Sequence, residues 1–107
     1  MYIYNVTINV DDNIKNKWLT WIETHILDVL NTGKFISAKL TQVMVTEEMG
    51  GTTYAVQYFT ESKEKLEDYY KNHAPRLREE GLSLFGDKML AFRTELEVFS
   101  EHFHSGN

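Results

Sequence analysis

The chain has 107 residues, a net charge of −5 from 11 basic and 16 acidic side chains, and no cysteine. The acidic balance argues against nucleic acid as a partner, because phosphate groups need a basic surface, and the lack of cysteine excludes disulfide bonds, thiolate nucleophiles and cysteine-ligated metals. No stretch approaches the roughly 18 apolar residues of a membrane helix and the first residues alternate like a strand rather than a signal peptide, so we expect a cytoplasmic protein without a membrane partner.

The first half of the chain predicts one helix and three strands. Residues 2–10 alternate between two kinds of side chain, which predicts a strand with unlike faces. One row is apolar and the other half polar: Tyr2, Tyr4, Val6, Ile8 and Val10 against Ile3, Asn5, Thr7 and Asn9. Apolar residues recur at three- and four-residue spacing over 14–30, which predicts an amphipathic helix. Residues 35–46 and 52–60 indicate two strands joined by a glycine hairpin, and their buried faces stay undecided.

The second half predicts a broken helix and a last strand. An apolar stripe predicts a helix from Ser62, interrupted by Pro75 near His73 and resumed to Phe85, since proline disfavours helical geometry at the residue before it. Residues 89–99 alternate again and predict a strand. We expect its apolar row to face the helices and its charged row to lie on the open face: Leu90, Phe92, Leu96 and Val98 against Arg93, Glu95 and Glu97.

The order of these elements predicts the fold class. Strand, helix, strand, strand, helix, strand is the βαββαβ order of the ferredoxin-like α+β fold, with a four-stranded antiparallel sheet and two helices on one face. The first and third strands should be central. Residues 1–100 form the single expected domain and 101–107 a flexible tail. The half-polar open face favours a homodimer in which two sheets pair as a dimeric α+β barrel.

Five stretches carry a resemblance to a bacterial family that has no assigned activity. They are Ile3-Tyr4-Asn5-Val6-Thr7, Thr32-Gly33-Lys34-Phe35, Gly51-Thr52-Thr53-Tyr54, His73-Ala74-Pro75-Arg76-Leu77-Arg78 and Leu90-Ala91-Phe92-Arg93-Thr94. In architecture the chain is also similar to the dimeric α+β barrel proteins, such as the cofactor-free monooxygenases of antibiotic biosynthesis. That similarity implies sheets paired by their open faces around a ligand cavity, and it implies no particular function.

The polar row of the expected open face is the main candidate site. Asn5, Thr7, Arg93 and Glu95 would line the dimer interior, where amide, hydroxyl, guanidinium and carboxylate groups suit a small polar or anionic ligand. The simpler alternative is that Arg93 pairs with a neighbouring carboxylate and that the face is only an interface or a solvated surface.

The helix break offers a second candidate site. His73 supplies an imidazole that suits a general base, and the neighbouring Arg76 supplies a guanidinium group that suits the binding of an anion. The structural alternative is favoured, in which His73 bonds a backbone carbonyl freed by Pro75. His25 falls on the buried stripe of the first helix, which favours a core role. The two histidines of the tail, His102 and His104, lack further ligands nearby, so we expect no metal site.

Two functions remain open at this stage. The first is a homodimeric ligand-binding or structural module that binds a small polar or anionic molecule without chemistry. The alternative is a cofactor-free monooxygenase-like or isomerase-like enzyme. An enzyme should enclose an apolar cavity that contains a polar group with a perturbed pKa, whereas a module should have a filled interior. The sequence favours the module, because no acid–base pair is evident, and in neither case do we expect a cofactor.

Overall fold

The computed structural model describes residues 1–105, and its elements follow the predicted order. They are β1 (Tyr2–Val10), α1 (Lys15–Leu30), β2 (Ser37–Gln42), β3 (Thr52–Thr60), α2 (Lys63–Asn72), α3 (Ala74–Phe85) and β4 (Met89–Glu97), with a short 3₁₀ turn at Gly86–Lys88. β2 is shorter than the predicted strand over 35–46, because within that range only Ser37–Gln42 pair with β3 as a regular strand.

The four strands form one antiparallel sheet in the order β2-β3-β1-β4. β1 and β3 are therefore central, as the βαββαβ pattern predicts, and β4 is an edge strand. The helices cover one face of the sheet. The prediction of a ferredoxin-like α+β fold is confirmed.

The core lies between the sheet and the helices. Tyr4, Val6, Ile8 and Val10 of the apolar row of β1 are buried there, as the alternation predicts, and Tyr2 at the start of the strand is partly exposed. β3 contributes Tyr54, Val56 and Tyr58, which settles the face that the sequence left open. The helices contribute Trp18, Ile22, Ile26 and Val29 from α1, Leu66 and Tyr69 from α2, and Ala74 and Leu77 from α3.

The predicted helix break is confirmed. α2 ends at Asn72, α3 begins at Ala74, and His73 lies between them with φ −128° and ψ −41°. Pro75 lies in the first turn of α3, where the missing N–H has no partner within the helix in any case. Two helical segments therefore meet at His73.

The predicted orientation of β4 is wrong. Arg93 lies opposite Val6 and Glu95 opposite Tyr4, and directly paired residues project from the same face of a sheet. Arg93, Glu95 and Glu97 therefore lie on the helix side. The apolar row lies on the open face instead, where Leu90 is 58% and Phe92 is 68% exposed.

The physical reason is the period of two. Alternation determines which residues share a face, but not which face meets the helices, and a one-residue slip reverses the assignment. On the open face, the β4 residues beside Ile3, Asn5 and Thr7 are therefore Leu90, Phe92, Thr94 and Leu96, not the expected Arg93, Glu95 and Glu97.

β4 ends at Glu97, two residues before the predicted limit. Residues 98–105 have no regular secondary structure, and Val98 keeps one backbone hydrogen bond, from its N–H to the carbonyl of Met1. The last two residues of the expected tail lie outside the described residues. In the described part of the chain, none of the helices combines the length and apolarity needed to cross a bilayer.

Candidate functional site

Two arginines meet at one tyrosine on the helix side of the sheet. Arg93 Nε donates a hydrogen bond to the Tyr4 hydroxyl at 3.1 Å, and Arg78 Nη2 donates to the same oxygen at 3.0 Å. The antiparallel register of β1 and β4 brings Arg93 beside Tyr4. Arg78 reaches the phenol from α3. One buried phenol oxygen thus holds two cationic side chains side by side.

These residues line a surface hollow of about 600 Å³ at the β4 edge of the sheet. We call it the arginine pocket, formed by Tyr4, Tyr70, Arg78, Arg93, Thr94 and Glu95. The guanidinium of Arg78 lies over the Tyr70 ring, 5.9 Å from its centroid, which is within cation–π range. Burial, with a smaller contribution from the hydrogen-bonded carboxylate of Glu95, raises the pKa of the Tyr70 phenol. Tyr70 is therefore a neutral hydroxyl at physiological pH.

A smaller cavity continues from the arginine pocket into the core. This inner cavity has a volume of about 50 Å³ and shares Tyr4, Arg78 and Arg93 with the outer hollow. Its lining also includes Trp21, His25, Gly81 and Met89. The site therefore combines two guanidinium groups with a mostly apolar lining.

His25 is the titratable group inside the inner cavity. Its imidazole stacks on the Trp21 ring with centroids 4.5 Å apart. Burial lowers the pKa of His25 to about 4, opposed by the carboxylate of Asp28 and reinforced by Arg93. The ring is therefore neutral at physiological pH.

Two polar atoms in this region have no partner. Among residues 1–105, Arg78 Nε and His25 Nδ1 are the two buried side-chain nitrogen or oxygen atoms without a hydrogen bond. Both residues line the inner cavity. Such atoms are rare in native proteins and call for an explanation.

The positive charge of the pocket is not neutralised by ion pairs. Within the described chain, the ion pairs involve Lys15, Lys34 and His73, and neither Arg78 nor Arg93 lies within 4.0 Å of a carboxylate oxygen. Glu95 lines the same hollow, and its carboxylate contributes to the raised pKa of Tyr70. Two guanidinium groups and one carboxylate thus line the hollow without forming an ion pair.

The structure divides the site expected on the open face. Asn5 and Thr7 do lie there and are joined by a hydrogen bond of 3.2 Å from Asn5 Nδ2 to Thr7 Oγ1. Arg93 and Glu95 lie on the opposite face of the sheet, in the arginine pocket. The four residues therefore do not form one site, because the sheet separates them.

His73 and Arg76 belong to a different surface hollow, lined also by Asp28, Asn31 and Thr32. His73 Nε2 lies 3.9 Å from Asp68 Oδ2, so its ring contacts a carboxylate rather than a freed backbone carbonyl. The hydrogen bonds from Lys34 and Asn72 lower the pKa of Asp68. His73 and Arg76 do not reach the arginine pocket, and their role as ligand-binding residues stays a prediction.

Among the site residues that escaped the sequence analysis are Tyr4, Tyr70, Arg78 and His25. For Arg78 a signal was present. The buried stripe of α3 contains Ala74, Leu77 and Gly81, and Arg78 occupies the position four residues after Ala74, where a stripe residue is expected. An arginine on a buried stripe indicates a charge that enters the interior.

Within residues 1–105, no cluster of three or more histidine, aspartate or glutamate side chains is close enough to hold a metal ion. The arginine pocket and the inner cavity offer guanidinium, phenol, carboxylate and imidazole groups.

The fold and this basic pocket define a ferredoxin-like α+β protein with a cavity between its sheet and its helices. Within that class, the chain belongs to the family described as Domain of unknown function (DUF4286), whose model matches residues 1–99. No curated protein matches the chain at a significant level.

Three solved structures illustrate the likeness in fold. A dimeric ferredoxin-like protein from an uncultured marine organism is 10% identical with a TM-score of 0.64, covering 94% of this chain and 97% of that one. A protein of Arabidopsis thaliana is 13% identical with a TM-score of 0.66, covering 94% and 99%. An ethyl tert-butyl ether d (ethd) family protein from Bacillus halodurans is 11% identical with a TM-score of 0.62, covering 91% and 100%. At these identities the likeness concerns the fold alone.

Proposed function

We propose that the protein is a homodimer that binds a small organic anion in the arginine pocket of each subunit. The observation that carries the proposal is the convergence of Arg78 and Arg93 on one phenol oxygen without a carboxylate partner. Guanidinium groups present parallel N–H donors that match a carboxylate, and such charge-assisted pairs are among the stronger hydrogen bonds.

An anion explains the cluster better than a structural role does. Two cations that share a neutral acceptor repel each other. Arg93 is exposed to solvent, but Arg78 is partly buried, and a partly buried charge without a counter-charge is costly. A structural cluster would pair each arginine with an acidic side chain. Here the oxygen of Tyr4 orients both guanidinium groups, and an anion between them would relieve their repulsion.

The open face of the sheet supports the homodimer. Its side chains, by register, are those of Ile3, Asn5, Thr7, Asn9, Ser37, Lys39, Thr41, Thr53, Ala55, Gln57, Phe59, Leu90, Phe92, Thr94 and Leu96. Lys39 is the one charged residue among them, although 25% of the chain is charged. Depletion of charge around exposed apolar side chains is typical of an interface core.

A second copy of the chain is the occupant that we propose for this face. The similar structure from an uncultured marine organism is described as dimeric, which supports this choice. Two-fold pairing would bury Leu90 and Phe92 and bring the Asn5–Thr7 pair into a half-polar interface. The arginine pocket lies on the other side of the sheet, so each subunit keeps its own site.

Calorimetry against a panel of short organic acids tests the ligand. We expect binding by the native protein and at least about a tenfold loss in Arg78→Met and in Arg93→Met, since each removes a charged hydrogen-bond donor. Arg76→Met is the matched control, because it removes the same charge from the exposed side of the same helix and should bind normally. If no acid binds, or if the control loses as much affinity, the proposal is wrong.

A cofactor-free enzyme of the isomerase-like kind is a second candidate. His25 favours it, because a neutral imidazole inside an enclosed cavity is the arrangement expected of a general base. The test is proton exchange in heavy water, followed by NMR, at the carbon next to the carbonyl of a bound oxo acid. Proton exchange that occurs in the native protein and is lost in His25→Gln supports an enzyme. If the native protein shows no exchange, a binding module is favoured.

A further inference from the structure

The two unpartnered nitrogens of the inner cavity call for different partners. Arg78 Nε carries an N–H on a permanently charged group, so it needs an acceptor and is best satisfied by an anionic one. His25 Nδ1 belongs to a neutral ring and either accepts or donates one hydrogen bond, depending on the tautomer. A hydroxyl or a carbonyl group satisfies it.

A second carboxylate suits the position beside His25 poorly. The surroundings there are the ring of Trp21 and the side chain of Met89, together with the buried aliphatic residues of β1. Burial of a carboxylate beside a neutral imidazole would cost much more free energy than burial of a hydroxyl or a carbonyl. The cavity is therefore lined both by charged groups, Arg78 and Arg93, and by a neutral polar group, His25, whose side of the cavity we call its neutral polar end.

The volume of the inner cavity limits the ligand. At about 50 Å³ the inner cavity is much smaller than the arginine pocket of about 600 Å³, so it suits a small group of the ligand rather than the bulk of the ligand. The carboxylate itself can remain in the wider arginine pocket, beside Arg78 and Arg93.

We infer that the site selects a short monocarboxylate with a hydroxyl or carbonyl group on the neighbouring carbon, a 2-hydroxy or 2-oxo acid. The carboxylate bonds the two guanidinium groups, and the neighbouring oxygen bonds His25 Nδ1 inside the cavity. This inference rests on the proposed function, because it names the ligand class of the same pocket.

Four acids of similar size separate these features in the native protein. Lactate and propionate differ by the hydroxyl alone, pyruvate replaces it by a carbonyl, and malonate carries a second carboxylate instead. By isothermal calorimetry we expect lactate or pyruvate to bind at least about tenfold more tightly than propionate and malonate, because a buried polar group left unpaired costs about 1–3 kcal/mol.

A variant links the selectivity to His25. His25→Phe keeps an aromatic ring against Trp21 and removes both imidazole nitrogens. The affinity of this variant for lactate should therefore fall to the affinity for propionate. Its affinity for propionate should equal that of the native protein. Circular dichroism verifies the fold of the variant. If the variant does not fold, the affinities of the native protein for the four acids still test the selectivity for 2-hydroxy and 2-oxo acids.

The outcomes separate this inference from the proposed function. If none of the four acids binds and no other organic anion does, the proposed function fails as well. If propionate or malonate binds as tightly as lactate and pyruvate, the pocket binds anions but the 2-hydroxy or 2-oxo selectivity is wrong. An unchanged affinity for lactate in a folded His25→Phe variant also overturns the inference.

Discussion

Arg93 donates a hydrogen bond of 3.1 Å from Nε to the hydroxyl of Tyr4, across 89 positions of sequence. The contact joins the edge strand β4 to its neighbour β1 on the side that faces the helices. It is diagonal, because Glu95 and not Arg93 lies directly opposite Tyr4. Arg78 reaches the same oxygen from α3. One phenol therefore positions two guanidinium groups that belong to different elements.

Removal of this phenol oxygen should loosen both arginines at once. We expect Tyr4→Phe to lower the free energy of unfolding by about 1–3 kcal/mol, because two donors lose their acceptor, and to weaken the binding of organic acids. Urea unfolding and calorimetry measure the two effects. Tyr2→Phe, in the same strand, is the control. Unchanged affinity in Tyr4→Phe would show that the phenol does not orient the pocket.

A charge in the open face should dissociate the dimer. Phe92→Glu places a carboxylate in the apolar part of the proposed interface. The two-fold axis places a second one there from the other subunit. We expect at least about a hundredfold weaker dimerisation, or about 3 kcal/mol, since a buried charge without a partner is costly. Light scattering at micromolar concentration measures the molar mass.

Leu84→Glu is the matched control for the interface. Leu84 is 62% exposed on α3, close to the 68% of Phe92, but it lies on the helix layer. We expect this variant to remain dimeric. A native protein that is monomeric at micromolar concentration would contradict the homodimer directly.

The fold was predictable because its signals are local. The alternation of β1 and the three- to four-residue spacing of α1 are properties of short windows, and both elements form where these windows lie. Pro75 likewise acts on its immediate neighbours, and the helices break beside it. The order of the elements then restricts the topology to few alternatives.

The orientation of β4 was not predictable by the same reasoning. Leu90 and Phe92 form an apolar row, which in a monomer would indicate the core. Their place on the open face depends on the register with β1, and that is set by contacts distant in sequence. In a sheet that pairs with a second sheet, an apolar row can be buried on either face, against the helices or against the second sheet.

The site was predictable in two residues, Arg93 and Glu95. Arg93 is recognisable in the sequence as a cation in the middle of a strand, but the sequence does not indicate which residues it contacts. Tyr4 belongs to an apolar row, which predicts a core residue, although its hydroxyl accepts a hydrogen bond from each of the two arginines. His25 lies on a buried stripe, and its lowered pKa follows from the surrounding packing, which no local pattern contains.

His73 should matter little to ligand binding. Its ring lies 3.9 Å from a carboxylate oxygen of Asp68, which already accepts hydrogen bonds from Lys34 at 2.9 Å and Asn72 at 2.7 Å. We expect His73→Ala to lower the melting temperature less than Tyr4→Phe does, and to leave the affinity for organic acids unchanged. A lost affinity would move the site toward the helix break and count against the arginine pocket.

Gly81 should control access to the inner cavity. A Cβ at this position would lie 3.0 Å from Cη2 of Trp21 and 3.1 Å from Cε of Met89. In Gly81→Ala the better helix propensity of alanine, worth about 1 kcal/mol, opposes this crowding. We therefore expect a change in the free energy of unfolding of within about 1 kcal/mol.

The affinity for short acids should respond more strongly to Gly81→Ala than the stability does. The added methyl group narrows a cavity of only about 50 Å³, so we expect about a tenfold loss of affinity by calorimetry. Glu80→Ala, exposed on the same helix, serves as control. Full affinity in Gly81→Ala would show that the ligand stays in the outer hollow.

His25 should make the stability of the protein depend on pH in a mildly acidic window. Its pKa is about 4 in the folded protein, against 6.5 for the unperturbed group. Between these values the unfolded chain binds a proton that the native protein does not bind. Acidification therefore favours the unfolded state, and the free energy of unfolding falls as the pH is lowered.

Between about pH 7.5 and about pH 4.5 we expect a loss of about 2–3 kcal/mol from this group alone, measured by urea unfolding. Asp68 has a lowered pKa, so its contribution is lost only at still lower pH and does not interfere. His25→Gln cannot gain a proton and should flatten the profile, whereas His102→Gln, in the exposed C-terminal segment, should keep it. If His25→Gln retains the full slope, the imidazole is not held neutral by burial, and the neutral polar end of the inner cavity loses its basis.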